Sequence, residues 1–339
     1  GLFAAGPSEI ISKLAERETG TLQPFSTPAG NVVLVTFIDG PKVEIQGNLP
    51  ATYAVRFVND DTGECVYATE IQPGCWAAAN PKYYVPWRVI VEENGVRVVD
   101  YLLHLRNQCV LVALSSKSLG DTVAWMPYAE EFRTHHQCEM HVTTFWRSIL
   151  ETAYPDVRFH DAGDAVTDMY ASYVIGCADD DYNRNKNHWQ AIPLQQLASD
   201  YLGLPPHEIR PRITRSVEPR PLKDRYVAIA EFSTFHGKHW LYPDGWQIVV
   251  DWLNCQGYRV VSISKEPSHL RNIVPWNARP VDEAIRNLQY ADLLISVSNG
   301  PMWLAYALNV PNVVISGFTL PYSEMTECYR VINDKVCTG

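Results

Sequence analysis

Two continuous apolar runs, each followed by a polar loop and a helical pattern, constrain this chain more than any other feature. Cys109-Val110-Leu111-Val112-Ala113-Leu114 lacks alternation, as expected for a strand covered on both faces. A helical pattern follows from Asp121, then candidate strands at Cys138–Val142, Asp156–Phe159 and Tyr173–Gly176. The rhythm restarts more cleanly at Tyr226–Ala230. A helix is predicted over 244–256, opened by Asp244 and closed by Gly257. Val260–Ile263 reads as a strand. The helix predicted over 281–290 carries Asp282 and Glu283 in its first turn, where the dipole favours acids. A strand at Leu293–Val297, a helix over 301–308 and a strand at Val313–Ile315 complete the unit. This β-α alternation implies parallel sheets and the α/β class. Pro205, Pro206, Pro211, Pro219 and Pro221 interrupt it and read as a linker. Two Rossmann-like lobes around a cleft are expected, with ligands at the carboxyl ends of their strands.

The N-terminal part has a different character. Residues 7–18 have a Ser cap and helical spacing, predicting one amphipathic helix. Residues 32–104 hold short β-type runs separated by Asn59-Asp60-Asp61-Thr62-Gly63 and Glu93-Asn94-Gly95 turns. The expected division is an N-terminal helix and antiparallel β-rich domain over 1–104, a first lobe over 105–215 and a second over 216–339. The β-rich part suits an interaction module better than chemistry. A net charge of -10 argues against nucleic-acid backbone as a partner. No run of about 18 apolar residues occurs, so no membrane span is predicted. The eight cysteines are scattered, a pattern expected of mostly buried, reduced thiols in a cytoplasmic protein.

Three loops at strand carboxyl ends carry candidate chemistry. In Ser115-Ser116-Lys117-Ser118-Leu119-Gly120-Asp121, Gly120 permits close backbone approach and Asp121 can accept a hydroxyl proton. Asp is also a good helix cap, and position leaves both roles open. The second loop, from Glu231 to Trp240, offers Ser233, Thr234, Gly237 and Lys238 to a diphosphate. Lys238 would offset charge on a departing phosphate, although a solvated surface Lys reads the same way. The third, Ser298-Asn299-Gly300-Pro301-Met302, places a tight turn and Pro at a helix start whose amides can hold phosphate or ribose.

Together these loops resemble the lipopolysaccharide-type heptosyltransferases. The motifs are Ser118-Leu119-Gly120-Asp121, Ser233-Thr234 with Lys238-His239-Trp240, and Ser298-Asn299-Gly300 before Ala305-Tyr306-Ala307-Leu308. The β-rich N-terminal region, Lys238-His239-Trp240 and the tail Tyr329-Arg330-Val331-Ile332-Asn333 with Cys337 are more similar to the bacterial autotransporter heptosyltransferases. The resemblance implies a GT-B fold and inverting transfer of heptose from ADP-heptose to serines of autotransporter passenger repeats. It matches Asp121 to the family's base, and Ser233, Thr234 and Lys238 to its diphosphate contacts. Trp240 and the turn Asn299-Gly300-Pro301-Met302 join them as donor-side candidates, Ser118 and Gly120 as the acceptor-side loop. Transfer then requires no cofactor. The branch also implies a homo-oligomer.

Two departures qualify the match. The lipopolysaccharide branch carries Asp-Thr-Gly-x-x-His where this chain reads Ser298-Asn299-Gly300-Pro301-Met302-Trp303, so no metal or phosphate role is carried over there. The autotransporter branch binds structural iron through four cysteines, of which only Cys337 has a counterpart before the sequence ends at Gly339. A lone thiolate cannot make such a site. Either the sequence is truncated or the iron site is missing. Elsewhere, His135-His136-Gln137-Cys138-Glu139-Met140-His141 holds metal-ligand residue types without regular spacing, and a reading without metal is favoured. Asp179-Asp180-Asp181 reads as a solvated acidic loop. The alternatives to heptosyl transfer are another nucleotide sugar on the same architecture, or a non-enzymatic two-lobed adaptor.

Overall fold

The computed structural model of the protein describes residues 22–176, 181–275, 281–333 and 335. The helix expected over 7–18, Asp179-Asp180 and Cys337 lie outside the described residues.

The first sheet holds the apolar run as β9 (Cys109–Leu114), where Val110, Val112 and Leu114 are buried and the alternate residues are half-buried, so one face is less enclosed than the run implied. Parallel neighbours flank it: β10 (Glu139–Thr144) and then β11 (Arg158–Asp161) on one side, β12 (Ala171–Ile175) on the other. Beyond β12 the sheet continues into strands from before residue 104. Ala171 and Ser172 pair in parallel with Phe37 and Ile38 of β2 (Val32–Ile38). The strands β1 (Gln23–Ser26), β3 (Lys42–Gln46) and β6 (Trp76–Ala78) extend this edge in antiparallel fashion. The sheet thus draws strands from both sides of residue 104. Asp39, at the end of β2, ties this junction together through a two-pronged ion pair with Arg184 at 3.0 and 3.1 Å.

The remaining early strands form a separate antiparallel sheet. Its order is β5 (Cys65–Ile71), β4 (Tyr53–Asn59), β7 (Trp87–Glu93) and β8 (Val96–Leu102). Alternation puts Tyr53, Val55, Phe57, Trp87, Val89 and Val91 on the buried face, sharing one apolar core with the first sheet. Asn94 and Gly95 both have positive φ in the two-residue turn between β7 and β8, which suits the twist of a tight hairpin.

The second lobe is a five-stranded parallel sheet. Its order is β14 (Arg259–Ser262), β13 (Tyr226–Ala230), β15 (Leu293–Val297), β16 (Asn312–Ser316) and β17 (Tyr329–Ile332). Every residue of β13 is buried, which accounts for its unbroken apolar sequence. One face packs Val227, Ile229, Val260 and Ile295 against Val250 and Leu253 of α4 (Gly245–Cys255). The other is covered by α5 (Val281–Leu288) and α6 (Gly300–Leu308).

Two helices join the lobes. They are α1 (Leu119–His136), which follows β9, and α6. Met302, Trp303, Leu304, Ala305, Tyr306 and Leu308 of α6 are buried, so this helix is apolar nearly all round, as a wholly enclosed helix must be. The short α2 (Arg147–Leu150) and α3 (Leu194–Leu202) complete the first lobe. The Pro-rich linker has no regular structure but is held in place. Arg210 donates to the carbonyl of Tyr306, and Arg215 donates to that of Leu308 at 2.9 Å. These are carbonyls of the last turn of α6, where guanidinium groups also complement the helix dipole.

Candidate active site

The carboxyl ends of β9 and β13 face the junction of α1 and α6. At that junction two glycines set the separation of the helices. A Cβ on Gly120 would stand 3.0 Å from Trp303 Cδ1 and 3.5 Å from Gly300 Cα. A Cβ on Gly300 would stand 3.3 Å from that of Leu119. The starts of the two helices therefore touch almost backbone to backbone. Gly120→Val is expected to destabilise the protein by about 1–3 kcal/mol through overpacking. The check is a urea midpoint, and an unchanged midpoint would show that the contact yields without cost.

Asp121 lies one residue beyond Gly120, in the first turn of α1. It is not the cap: Ser118 occupies that position, without a side-chain capping bond. The Asp121 carboxylate instead accepts a hydrogen bond from Ser116 Oγ at 2.6 Å. Ser116 Oγ in turn accepts from the Ser118 amide at 3.0 Å, which folds the loop back over the carboxylate. Burial raises the Asp121 pKa, while Ser116, Ser118 and the Lys238 charge oppose it. This is the balance wanted in a base, which must be held in place yet remain able to take a proton.

Lys238 comes from the opposite lobe, in the loop after β13. Burial lowers its pKa, and the charges of Asp121 and Glu324 oppose that shift. Lys238 and Asp121 thus sense each other across the cleft. Ser233 lies half-buried and Thr234 exposed in the same loop. His239 fixes the loop, its Nε2 lying 3.1 Å from Ser233 N and 2.9 Å from Ser233 O. Asn299 caps α6, accepting from Met302 N at 3.3 Å. Its amide group donates to the carbonyls of Ala230 and Phe232 at 3.2 and 2.9 Å, anchoring the helix start to the end of β13.

Ser118, Gly120, Asp121, Ser233, Thr234, Lys238, Asn299 and Gly300 therefore all lie in loops or helix starts at the carboxyl ends of the two sheets. The other candidates are engaged differently. Met302 is 1% exposed and belongs to the core, and its amide is taken by Asn299. Pro301 has no amide hydrogen. Gly300 is left as the earliest amide donor of this turn. The Trp240 ring packs edge-to-face on Trp246 at 5.5 Å, against the start of α4.

Two buried carboxylates were not singled out from sequence. Glu231 directly follows β13, accepts from Ser268 Oγ at 2.8 Å, and has its pKa raised by burial. An acid ending a fully apolar strand is a readable signal. Glu324 accepts from Ser316 Oγ at 2.7 Å and pairs with Arg330 at 2.5 Å. Its partners all lie between Ser316 and Arg330, but at spacings of no regular element, so no periodic pattern marks it. The thiols also differ from expectation. Of six free cysteines among the described residues, only Cys138 is buried, while Cys65, Cys75 and Cys255 are exposed. The latter three lie on an edge strand, in a turn and at a helix end, where an apolar residue need not be enclosed.

Comparison with known proteins gives this site its context. The Escherichia coli autotransporter heptosyltransferase Aah is 33% identical over 301 residues, covering 84% of this chain and 76% of its own length. The chain belongs to the autotransporter heptosyltransferases. It is thereby a glycosyltransferase of the heptosyltransferase class. The crystal structure of TibC from enterotoxigenic E. coli, described as an iron-containing dodecameric glycosyltransferase, matches with a TM-score of 0.84 at 29% identity. That match covers 93% of this chain and 85% of TibC. TibC has also been crystallised with ADP-D-β-D-heptose, and that structure matches with a TM-score of 0.82. BimC of Burkholderia thailandensis, described as an inactive autotransporter heptosyltransferase, is 30% identical over 85% of this chain and 71% of its own length. No family profile matches the chain. Among the described residues no helix is long and apolar enough to cross a membrane.

Proposed function

We propose that this protein is an inverting O-heptosyltransferase of GT-B architecture, moving heptose from ADP-heptose to serine side chains of an autotransporter passenger. The observation that carries the reading is the placement of a partly buried carboxylate, Asp121, from one lobe, and a partly buried ammonium, Lys238, from the other, close enough for each charge to act on the other. The acceptor hydroxyl enters beside Ser118 and Gly120. Asp121 takes its proton as the oxygen attacks the anomeric carbon, and the bond to the diphosphate breaks on the far side. A single displacement of this kind inverts the configuration. Ser233, Thr234 and the Gly300 amide hold the diphosphate, and Lys238 balances the charge that the leaving ADP gains. None of these steps calls on a cofactor. The chain's likeness to TibC, described as dodecameric, supports a homo-oligomeric enzyme.

Donor identity is tested by calorimetric titration with ADP-heptose, UDP-sugars and GDP-sugars. Selective binding of ADP-heptose is expected. Binding of a UDP-sugar alone would replace the heptose reading with another sugar. The existence of an inactive relative gives weight to a second reading, a binding protein without turnover. Acceptor-dependent release of ADP would exclude it.

The two charges also predict a pH profile. Asp121 works ionised, and burial moves its titration above the ordinary carboxylate value of 3.8. Lys238 works protonated, and burial moves its titration below the ordinary value of 10.5. Transfer should therefore rise with pH through the first group and fall through the second, in a bell narrower than free side chains would give. Lys238→Met should remove the alkaline limb and keep an acid limb, moved to higher pH by loss of the Lys238 charge beside Asp121. An alkaline limb that persists in this variant would assign it to another group.

A further inference from the structure

At the amino ends of β9 and β10, away from the cleft, three metal-ligating side chains converge. Cys109 and Glu139 are register partners on adjacent parallel strands. His141 lies two residues beyond Glu139 and so projects from the same face of the sheet. One ligand atom from each of Cys109, Glu139 and His141 lies within 4.8 Å of the others. We propose that Cys109, Glu139 and His141 form a binding site for a borderline divalent cation, Zn²⁺ or a similar first-row ion.

The arrangement has features that ordinary packing does not explain. His141 is 7% exposed, and its Nε2 is buried without a hydrogen-bond partner. Such a nitrogen is costly to leave unmatched. Its Nδ1 lies 2.9 Å from His160 Nε2 on β11, with the two rings stacked at 5.1 Å. When Nδ1–H donates to His160, the lone pair resides on Nε2, the tautomer that a metal requires. His160 would thus orient the ligand from outside the coordination shell. The Cys109 thiol points at Glu139 Oε2 across 3.9 Å, so a cation would replace a shared proton. Glu139 also pairs with Arg158 at 3.6 Å. That ion pair accounts for Glu139 but leaves the His141 nitrogen unexplained. One sulfur, one imidazole and one carboxylate favour zinc-like ions over magnesium or calcium, and three protein ligands leave a position for water. The half-exposed Glu139 and Cys109 give an entry route from solvent.

Because the ligands sit on two strands and their orienting partner on a third, the bound ion would clamp β9, β10 and β11 together. The site lies about 17 Å of strand from the loop that bears Asp121. Its role is therefore structural, and its test does not depend on transfer. The full chain, stripped with chelator, is titrated with Co²⁺ alone and followed by thiolate-to-cobalt charge-transfer absorption and by thermal unfolding. Stoichiometric binding with that band and a raised Tm are expected. Cys109→Ser and His141→Gln should abolish the band. His160→Ala, which leaves all three ligands in place, should weaken binding by about 10–100-fold. Cys75→Ser, at an exposed thiol elsewhere, should change nothing. No band from the stripped wild-type chain would overturn the proposal. So would a band of full height that survives both Cys109→Ser and His141→Gln.

Discussion

Asp121→Asn is expected to lower the rate of heptosyl transfer by about 10²–10⁴-fold while leaving ADP-heptose binding within a factor of about two. The amide keeps the size of the carboxylate and can still accept from Ser116 Oγ, so the loop before α1 retains its shape. What it loses is the capacity to take a proton. In free-energy terms the loss is about 3–5 kcal/mol of transition-state stabilisation. The substitution should not destabilise the fold, because it removes a charge from a partly buried position that already disfavours ionisation. Single-turnover kinetics with donor in excess separate this effect from binding. An asparagine variant that transfers normally would move the base elsewhere, and Glu231 would become the next carboxylate to examine.

Lys238→Met should lower the transfer rate by about 10²–10³-fold, through loss of the positive charge that faces the leaving diphosphate. Methionine replaces most of the aliphatic stem, so the half-buried packing of the side chain is largely retained. The variant differs from Asp121→Asn in a second readout. Lys238 meets the donor's diphosphate before and during reaction, so donor affinity should fall as well. In Lys238→Met the Asp121 carboxylate also loses its opposing charge, so its pKa should rise further and the acid limb of the pH profile should shift upward. An acid limb that does not move would mean that the two groups are not coupled across the cleft.

The two apolar strands that anchor the lobes were legible from their unbroken apolar runs, although only Tyr226–Ala230 is enclosed on both faces, while Cys109–Leu114 alternates half-buried and buried residues. The predicted bounds of Cys109–Leu114, Tyr226–Ala230 and Leu293–Val297 agree with β9, β13 and β15. Edge strands were not legible in the same way. The four residues of β17 are mostly exposed, so Tyr329–Ile332 carries no burial signal. The alternation in β3, Lys42-Val43-Glu44-Ile45-Gln46, is a period-two pattern that could have been read. The pairing of β2 with β12 could not, because only register across more than a hundred residues reveals it. The Pro-rich segment reads as a linker, yet its attachment to α6 through Arg210 and Arg215 depends on carbonyls more than ninety residues away. The same distinction holds in the site. Asp121 and Lys238 stand in loops whose position after buried strands marks them. The engagement of Met302 with the core and of its amide with Asn299 appears only when the helix is built. The Cys109–Glu139–His141 cluster is another product of register: residues 135–141 alone show no ligand spacing, and the missing sulfur comes from the adjacent strand.

The most direct test of the account is the intact mass of an autotransporter passenger fragment after incubation with ADP-heptose and this protein. Mass should rise in whole heptose increments, with one ADP released per increment, and modified positions should map to serines. Asp121→Asn, folded and donor-bound, should leave the fragment unmodified. A wild-type chain that binds ADP-heptose yet adds no mass, or an Asp121→Asn variant that adds as much as the wild type, would contradict it.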